Sequence, residues 1–193
     1  MKGKFIVLEG IDGAGKGVQM KALEKFLGDE KVTFYKFPDE RSMYGKIIKS
    51  FLAGKVNMSP REQVMVYLTD MLNKKESIEE ELSKGHTVIA DRYFTSTIAY
   101  QAENKRDEKF ISDIISLLDL PIPNRIIFLD IDPRESFRRR RKRDVLEKDI
   151  KFLYKVRESY MRMMKRGFPC PDWRLIDGNN PIKEITREIL RQI

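Results

Sequence analysis

The chain has 193 residues, 41% hydrophobic and 35% charged, with a formal net charge of +8 and a single cysteine. That length supports one sizeable core and leaves too little for two independent ones. No apolar run approaches the ~18 residues of a membrane span, and the lone Cys170 excludes an internal disulfide and suits a reducing, cytoplasmic setting.

The first predicted element is a strand over 4–9, "KFIVLE", in an apolar run too short for a secretory signal. It leads straight into "GIDGAGKGVQ", Gly10 to Gln19, and an amphipathic helix. A second strand is expected at 32–37, "VTFYKF", and Gly54 stands where the helix after it should be capped. Ser59-Pro60-Arg61-Glu62 spells a capping box with proline at the first helical position, and one long helix is expected from Ser59 to a closing Gly85. Within it Tyr67 and Met71 fall four apart, on one face. "HTVIAD" (86–91) predicts a third strand that delivers Asp91 at its carboxyl end, followed by Arg92 and a helix carrying Ser96, Tyr100 and Gln101. His86, at its start, reads as structural. "RIIFLDI" (125–131) is the fourth strand. Asp132-Pro133-Arg134-Glu135 opens the helix after it, and Asp144 with Glu147 opens another that Gly167 closes. "WRLID" (173–177) is the fifth strand, and the last helix is expected to bury Ile182, Ile185 and Ile189.

Strands alternating with helices along the whole chain predict a doubly wound α/β fold, one domain over 1–193 with a five-stranded parallel sheet. In such sheets ligands bind beyond the carboxyl ends of the strands. The stretch leaving the first strand nearly matches G-x-x-x-x-G-K-[ST], the loop that grips phosphate between a strand and a helix, so the sheet is expected to be of P-loop NTPase type. Glycines at 10, 13 and 15 let successive N–H groups wrap one anion, the helix N-terminus adds partial positive charge, and Lys16 reaches the outer phosphates. Gly10, Ile11, Asp12, Gly13, Ala14, Gly15, Lys16 and Gly17 are therefore the expected ATP-binding residues. Gly17 replaces the hydroxyl that ligates Mg²⁺ in most such loops. The spelling resembles the loop of adenylate kinases, which carry glycine there, with the ion held more by water and substrate oxygens.

Four segments in order, "LEGIDGAGKG", "FPDERS", "DRYFTSTIAYQ" and "FLDIDP", resemble the motifs of thymidylate kinases over nearly the whole length. The resemblance implies transfer of the γ-phosphoryl group of ATP to dTMP, giving dTDP, with Mg²⁺ as cofactor and a homodimer as assembly. It implies that Asp12 contacts the acceptor's 3′-hydroxyl, that Arg41 and Arg92 grip its 5′-phosphate, and that Asp91 organises the metal. Paired guanidiniums suit a phosphate. It further implies that Tyr100 crowds the ribose 2′ position, that Phe37 lines the acceptor pocket, and that Ser96 belongs to the same site.

The basic run "RESFRRRRKRD", Arg134 to Asp144, reads alone as a nucleic-acid or membrane-surface patch, or a solvated helical face. Within the resemblance it is a lid, around 134–148, closing over the donor phosphates. Members of the family carry the catalytic arginine in the phosphate loop or in the lid. Gly13 follows Asp12 here, so the lid must supply the cation from Arg138, Arg139, Arg140, Arg141 or Arg143. Helical spacing places Arg134, Arg138 and Arg141 on one side, and Arg138 and Arg141 are the catalytic candidates.

Two departures stand out. Tyr67 can replace the family's stacking phenylalanine, but Met71 cannot replace the arginine that hydrogen-bonds thymine, so relaxed base selection is expected. "DVLEKD" lacks the usual D-R-F-E spelling. Two other functions stay open: a kinase of broad nucleoside monophosphate specificity, and a nucleotide- or nucleic-acid-binding protein without turnover.

Overall fold

Strands with no polar alternation must be covered on both faces, and "FIVLE" and "RIIFLD" are of that kind. The computed structural model describes residues 3–28, 31–139, 145–146 and 149–193. Within it, all of β1 (Phe5–Glu9) and the central four residues of β4 (Arg125–Asp130) are buried. They lie in the middle of one parallel sheet ordered β2-β3-β1-β4-β5, with β2 (Val32–Lys36), β3 (Thr87–Asp91) and β5 (Trp173–Asp177). The edge strands β2 and β5 are only partly covered. Each expected strand is present, with ends within a residue of expectation.

The helices are α1 (Lys16–Leu27), α2 (Met43–Leu52), α3 (Pro60–Leu72), α4 (Lys75–Ser83), α5 (Phe94–Gln101), α6 (Lys105–Leu118), α7 (Pro133–Arg139), α8 (Ile150–Arg166) and α9 (Ile182–Leu190). Their ends follow local chemistry. Ser59 and Glu62 form the reciprocal capping box at α3. Gly54, Gly85 and Gly167 end α2, α4 and α8 in left-handed backbone. Asp132 caps α7 through its carboxylate, which accepts from the Arg134 N–H at 2.8 Å. α8 buries Leu153, Val156, Tyr160 and Met163, three or four apart, as an amphipathic helix must.

Three expectations are corrected. The single helix over Ser59–Gly85 is two, because the chain tightens at Asn73 and Lys74. The Lys74 N–H bonds Met71 O, only three residues back, and its ammonium is drawn 3.0 Å from Asp39. Asparagine, a weak helix former, offers little resistance at the break. Ile182 is 56% exposed at the first turn of α9, and of the three expected isoleucines Ile185 and Ile189 face inward, with Thr186 buried beside them. The cap of α8 is Asp149, whose side chain accepts from the Lys151 N–H; Asp144 and Glu147 lie outside the described residues.

α2 approaches the segment after β2 closely enough to leave no room for a side chain at Gly45. A Cβ there would meet Asp39 O at 2.0 Å. Gly→Ala within a helix normally stabilises by ~0.5–1 kcal/mol, but Gly45→Ala is expected to destabilise by ~1–3 kcal/mol through overpacking. Thermal unfolding of the variant checks this; an unchanged or raised Tm would contradict the packing.

Candidate active site

Parallel pairing places Leu8 opposite Asp91, so the chain leaving β1 and the chain leaving β3 emerge side by side. Arg92 marks the junction. Its N–H donates to Leu8 O at 2.9 Å, and its backbone is left-handed at φ 68. A side-chain-bearing residue holds that conformation only where its surroundings impose it.

The loop after β1 turns through Gly10, Gly13 and Gly15, all at positive φ, before α1 begins at Lys16. At Gly13 the need is steric as well: a Cβ would meet the Cα, O and Oγ of Ser136, each at 3.2 Å. Helix α7 thus rests on the loop, and the Ser136 hydroxyl donates to Asp12 O. Lys16 is 5% exposed and donates to Gly10 O at 2.8 Å and Ile11 O at 3.2 Å. Burial, then the nearby Arg92 charge, pull its pKa down to about 8.

Asp12 lies between the two cations. Its carboxylate accepts from the Arg92 guanidinium and stands 3.9 Å from Lys16 Nζ. Burial works against the charge on Arg92, yet Asp12 and the surrounding oxygens hold its pKa well above the usual arginine value. Arg92 also donates to Ser96 Oγ at 3.0 Å and Tyr100 OH at 3.2 Å, and lies over the Tyr100 ring at 5.0 Å. Beneath them Glu9, fully buried, accepts from Tyr93 N–H, Thr95 Oγ1, Ser96 Oγ and Tyr160 OH at 2.5–3.1 Å.

Asp12, Lys16, Arg92, Ser96 and Tyr100 line one cavity of about 760 Å³. The loop and Lys16 form one end. Phe37, Pro38 and Tyr67 face it with Thr97, Tyr100 and Gln101 from α5. Three buried atoms in its wall, Asp91 Oδ1, Thr97 Oγ1 and Gln101 Nε2, have no hydrogen-bond partner among the described residues. A cavity of that size, with a phosphate-loop geometry at one end and unfilled polar groups in its wall, suits ligands that carry both anionic and hydrogen-bonding groups.

A family model for thymidylate kinase matches residues 8–189. The chain belongs to the thymidylate kinase family. The Caldanaerobacter subterraneus thymidylate kinase is 32% identical, over all of this chain and 96% of its own. A relative from Pyrobaculum calidifontis is 33% identical over 96% of this chain and 93% of its own. The Candida albicans thymidylate kinase structure superposes with a TM-score of 0.83 at 25% identity, covering 100% of this chain and 91% of that one. As a member of the thymidylate kinase family the protein is an ATP-dependent nucleoside monophosphate kinase, transferring phosphoryl from ATP to dTMP.

Not every residue expected in a thymidylate kinase site reaches the cavity. Asp12, Gly13, Gly15, Lys16, Gly17, Phe37, Tyr67, Asp91, Arg92, Ser96 and Tyr100 line it. Met71 does not: it is 1% exposed, packed in the hydrophobic core. Arg41 faces a neighbouring hollow with its side chain 94% exposed, Nε 3.5 Å from Asp39. Arg138 is also turned away, forked onto Glu135 at 2.8 Å. Among the described residues Arg139 is the lid arginine that meets the cavity, spanning Gly13 O, Gly178 O and Asn179 Oδ1 while also donating to Glu135 at 2.8 Å. Of the two arginines expected from helical spacing, Arg138 does not line the cavity, and Arg141, like Arg140 and Arg143, lies outside the described residues.

Glu9, Thr97 and Tyr160 went unassigned in the sequence, and Gln101 was placed on its helix without a role. For Glu9 there was a clue, an acid ending an otherwise apolar central strand, which burial forces to find donors. Tyr160 left none beyond helical periodicity.

The residues present fit a hard cation. Among the described residues no group of three or more acidic, histidine or cysteine side chains could hold one. Asp91 Oδ1, buried in the cavity wall with no hydrogen-bond partner among the described residues, could offer one carboxylate oxygen to such an ion, which water and phosphate oxygens would have to complete. Gly17 adds none, and a side chain there would meet nothing within 4 Å.

Phosphate raises the pKa of a bound lysine, so the complex holds more protons than the free protein once pH passes about 8. ATP affinity is therefore expected to fall as pH rises through that value, with proton uptake on binding. Calorimetric titration in two buffers of different ionisation enthalpy measures both. An affinity constant across that range would show that Lys16 does not meet the phosphates.

Proposed function

We propose that ATP lies with its phosphates in the loop Gly10–Gly17, and that the acceptor occupies the space between Arg92, Phe37, Tyr67 and α5. One observation carries this reading: Lys16, buried, and Arg92, partly buried, face one cavity on either side of Asp12. That spacing suits two phosphates meeting end to end. The acceptor's own phosphate oxygen is already anionic, so transfer needs positioning and charge neutralisation rather than a strong base. Lys16 and the loop amides hold the donor, Arg92 holds the acceptor phosphate, and Arg139 brings the lid's charge to the loop. Asp12, once phosphate takes its place on Arg92, is left beside the acceptor sugar. Asp91 would hold Mg²⁺, which supplies further neutralisation of the phosphates when bound. α7 opens a lid spanning 134–148 on a single domain. Exposed Met43 and Ile47 on α2, with Met65 and Leu72 on α3, support a homodimer. Among the described residues no helix could cross a membrane, and the cytoplasm is the proposed location.

Base recognition falls to Thr97 and Gln101, the unfilled polar groups of the wall, with Tyr67 as stacking surface. An arginine only donates, whereas a glutamine amide presents both a donor and an acceptor. It can meet thymine or, turned over, cytosine. This supports relaxed base selection; the Candida albicans thymidylate kinase is itself described as broad in substrate specificity. A nucleic-acid surface is disfavoured, because Arg134, Arg138 and Arg139 are paired with Asp132 or Glu135.

With purified protein, kcat/KM for dTMP, dUMP, dCMP, dAMP and dGMP is expected to favour dTMP by less than ~10³-fold over the next acceptor. A larger margin would overturn relaxed selection while leaving the kinase reading intact. Lys16→Ala should abolish turnover without unfolding the protein, and wild-type-like activity in that variant would overturn the mechanism.

A further inference from the structure

Arg92 is the acceptor-phosphate cation of the proposed mechanism, and a phosphate grip depends on where the guanidinium points. Its left-handed backbone does not settle that, because the side chain has several further rotatable bonds. Asp12 fixes one edge, but Asp12 belongs to a substrate-facing loop and is 32% exposed. The other edge is fixed from inside the protein. Arg92 Nη1 donates to Ser96 Oγ at 3.0 Å and reaches Tyr160 OH at 3.4 Å. Those two oxygens are 2.7 Å apart, and both lie 2.7–2.8 Å from Glu9 Oε2.

The protons decide the direction of this cluster. Two hydroxyls bring two protons to three close oxygen contacts, so one contact must go without. Arg92 can only donate and the Glu9 carboxylate can only accept, so both hydroxyl protons turn toward Glu9 and a lone pair of each faces Arg92. The result is a directed relay, guanidinium to hydroxyl to carboxylate, with both charges partnered. Glu9 is 0% exposed at the end of the central strand, and Tyr160 is 0% exposed on α8, 151 positions along the chain. Neither lines the cavity.

We propose that Tyr160, with Glu9 behind it, is a positioning residue that holds the Arg92 guanidinium in its phosphate-gripping orientation. The proposal rests on Arg92 being the acceptor-phosphate cation. It also gives α8, the helix that follows the lid, a mechanical hold on the acceptor site. When phosphate draws Asp12 away, the hydroxyl edge is the fixed one, and it keeps the guanidinium from following.

Tyr160→Phe removes one oxygen and keeps the ring that packs on Phe128 at 5.1 Å between centroids. Calorimetric titration would compare dTMP, thymidine and ATP against wild type and variant, with thermal unfolding alongside. The expected result is dTMP binding weakened about tenfold, the scale of a hydrogen bond to a charged group, with thymidine and ATP unchanged. Ser96→Ala, which removes the other hydroxyl, should show the same phosphate-selective loss. Equal loss for dTMP and thymidine would make Tyr160 merely structural and overturn the proposal, as would dTMP binding unchanged in both variants. If wild type itself fails to prefer dTMP over thymidine, the placement of the acceptor phosphate on Arg92 falls, and this inference with it.

Discussion

Two positive charges facing one cavity, one buried and one partly so, repel, and the site depends on keeping both in place before any phosphate arrives. Lys16 and Arg92 do so by sharing Asp12. The arrangement is uneven. Arg92 is surrounded by oxygen on every side, while Lys16 leans on two backbone carbonyls and a more distant carboxylate. Burial therefore lowers the affinity of Lys16 for its proton, whereas Arg92 never releases its own. An arginine suits the fixed member of such a pair and a lysine the responsive one.

The sheet supplies what those charges cannot supply themselves, a rigid place to stand. β1 and β3 are adjacent and in register, so two loops with separate tasks leave the sheet at one point. Helix α5 then begins just beyond Arg92, carrying Ser96, Thr97, Tyr100 and Gln101 along its cavity side. Arg92 and the cavity side of α5 thus present a row of polar groups to one ligand space. α8 closes the arrangement from behind through Tyr160, and Arg157 anchors it to the end of β4 with two 2.6 Å bonds to Asp130.

Most of this was legible in the residues, unevenly. Strands wrote themselves as apolar runs, and the phosphate loop as glycines with a lysine at fixed spacing. Helix ends with strong capping chemistry, such as Ser59 with Glu62, were readable; the break at Asn73 was not, because the Lys74–Asp39 contact that fixes it comes from distant sequence. The same divide runs through the site. Lys16, Asp91 and Arg92 follow directly from strand ends. Met71 lies outside the cavity because core packing, which spacing alone does not weigh, sets its surroundings, and Arg138 is held on Glu135 away from it. Tyr160 reaches Glu9 across 151 positions, a meeting only the assembled fold defines.

The bare Cα of Gly13 has a bearing on how closely the lid helix can sit. α7 stacks directly on it through Ser136, and a Cβ there would stand 3.2 Å from the Cα, O and Oγ of that residue, so even a methyl group would ask α7 to give way slightly. At φ 82 a side-chain-bearing residue would also be strained. A long side chain at this point of the loop therefore competes for the same volume as a lid helix seated as this one is.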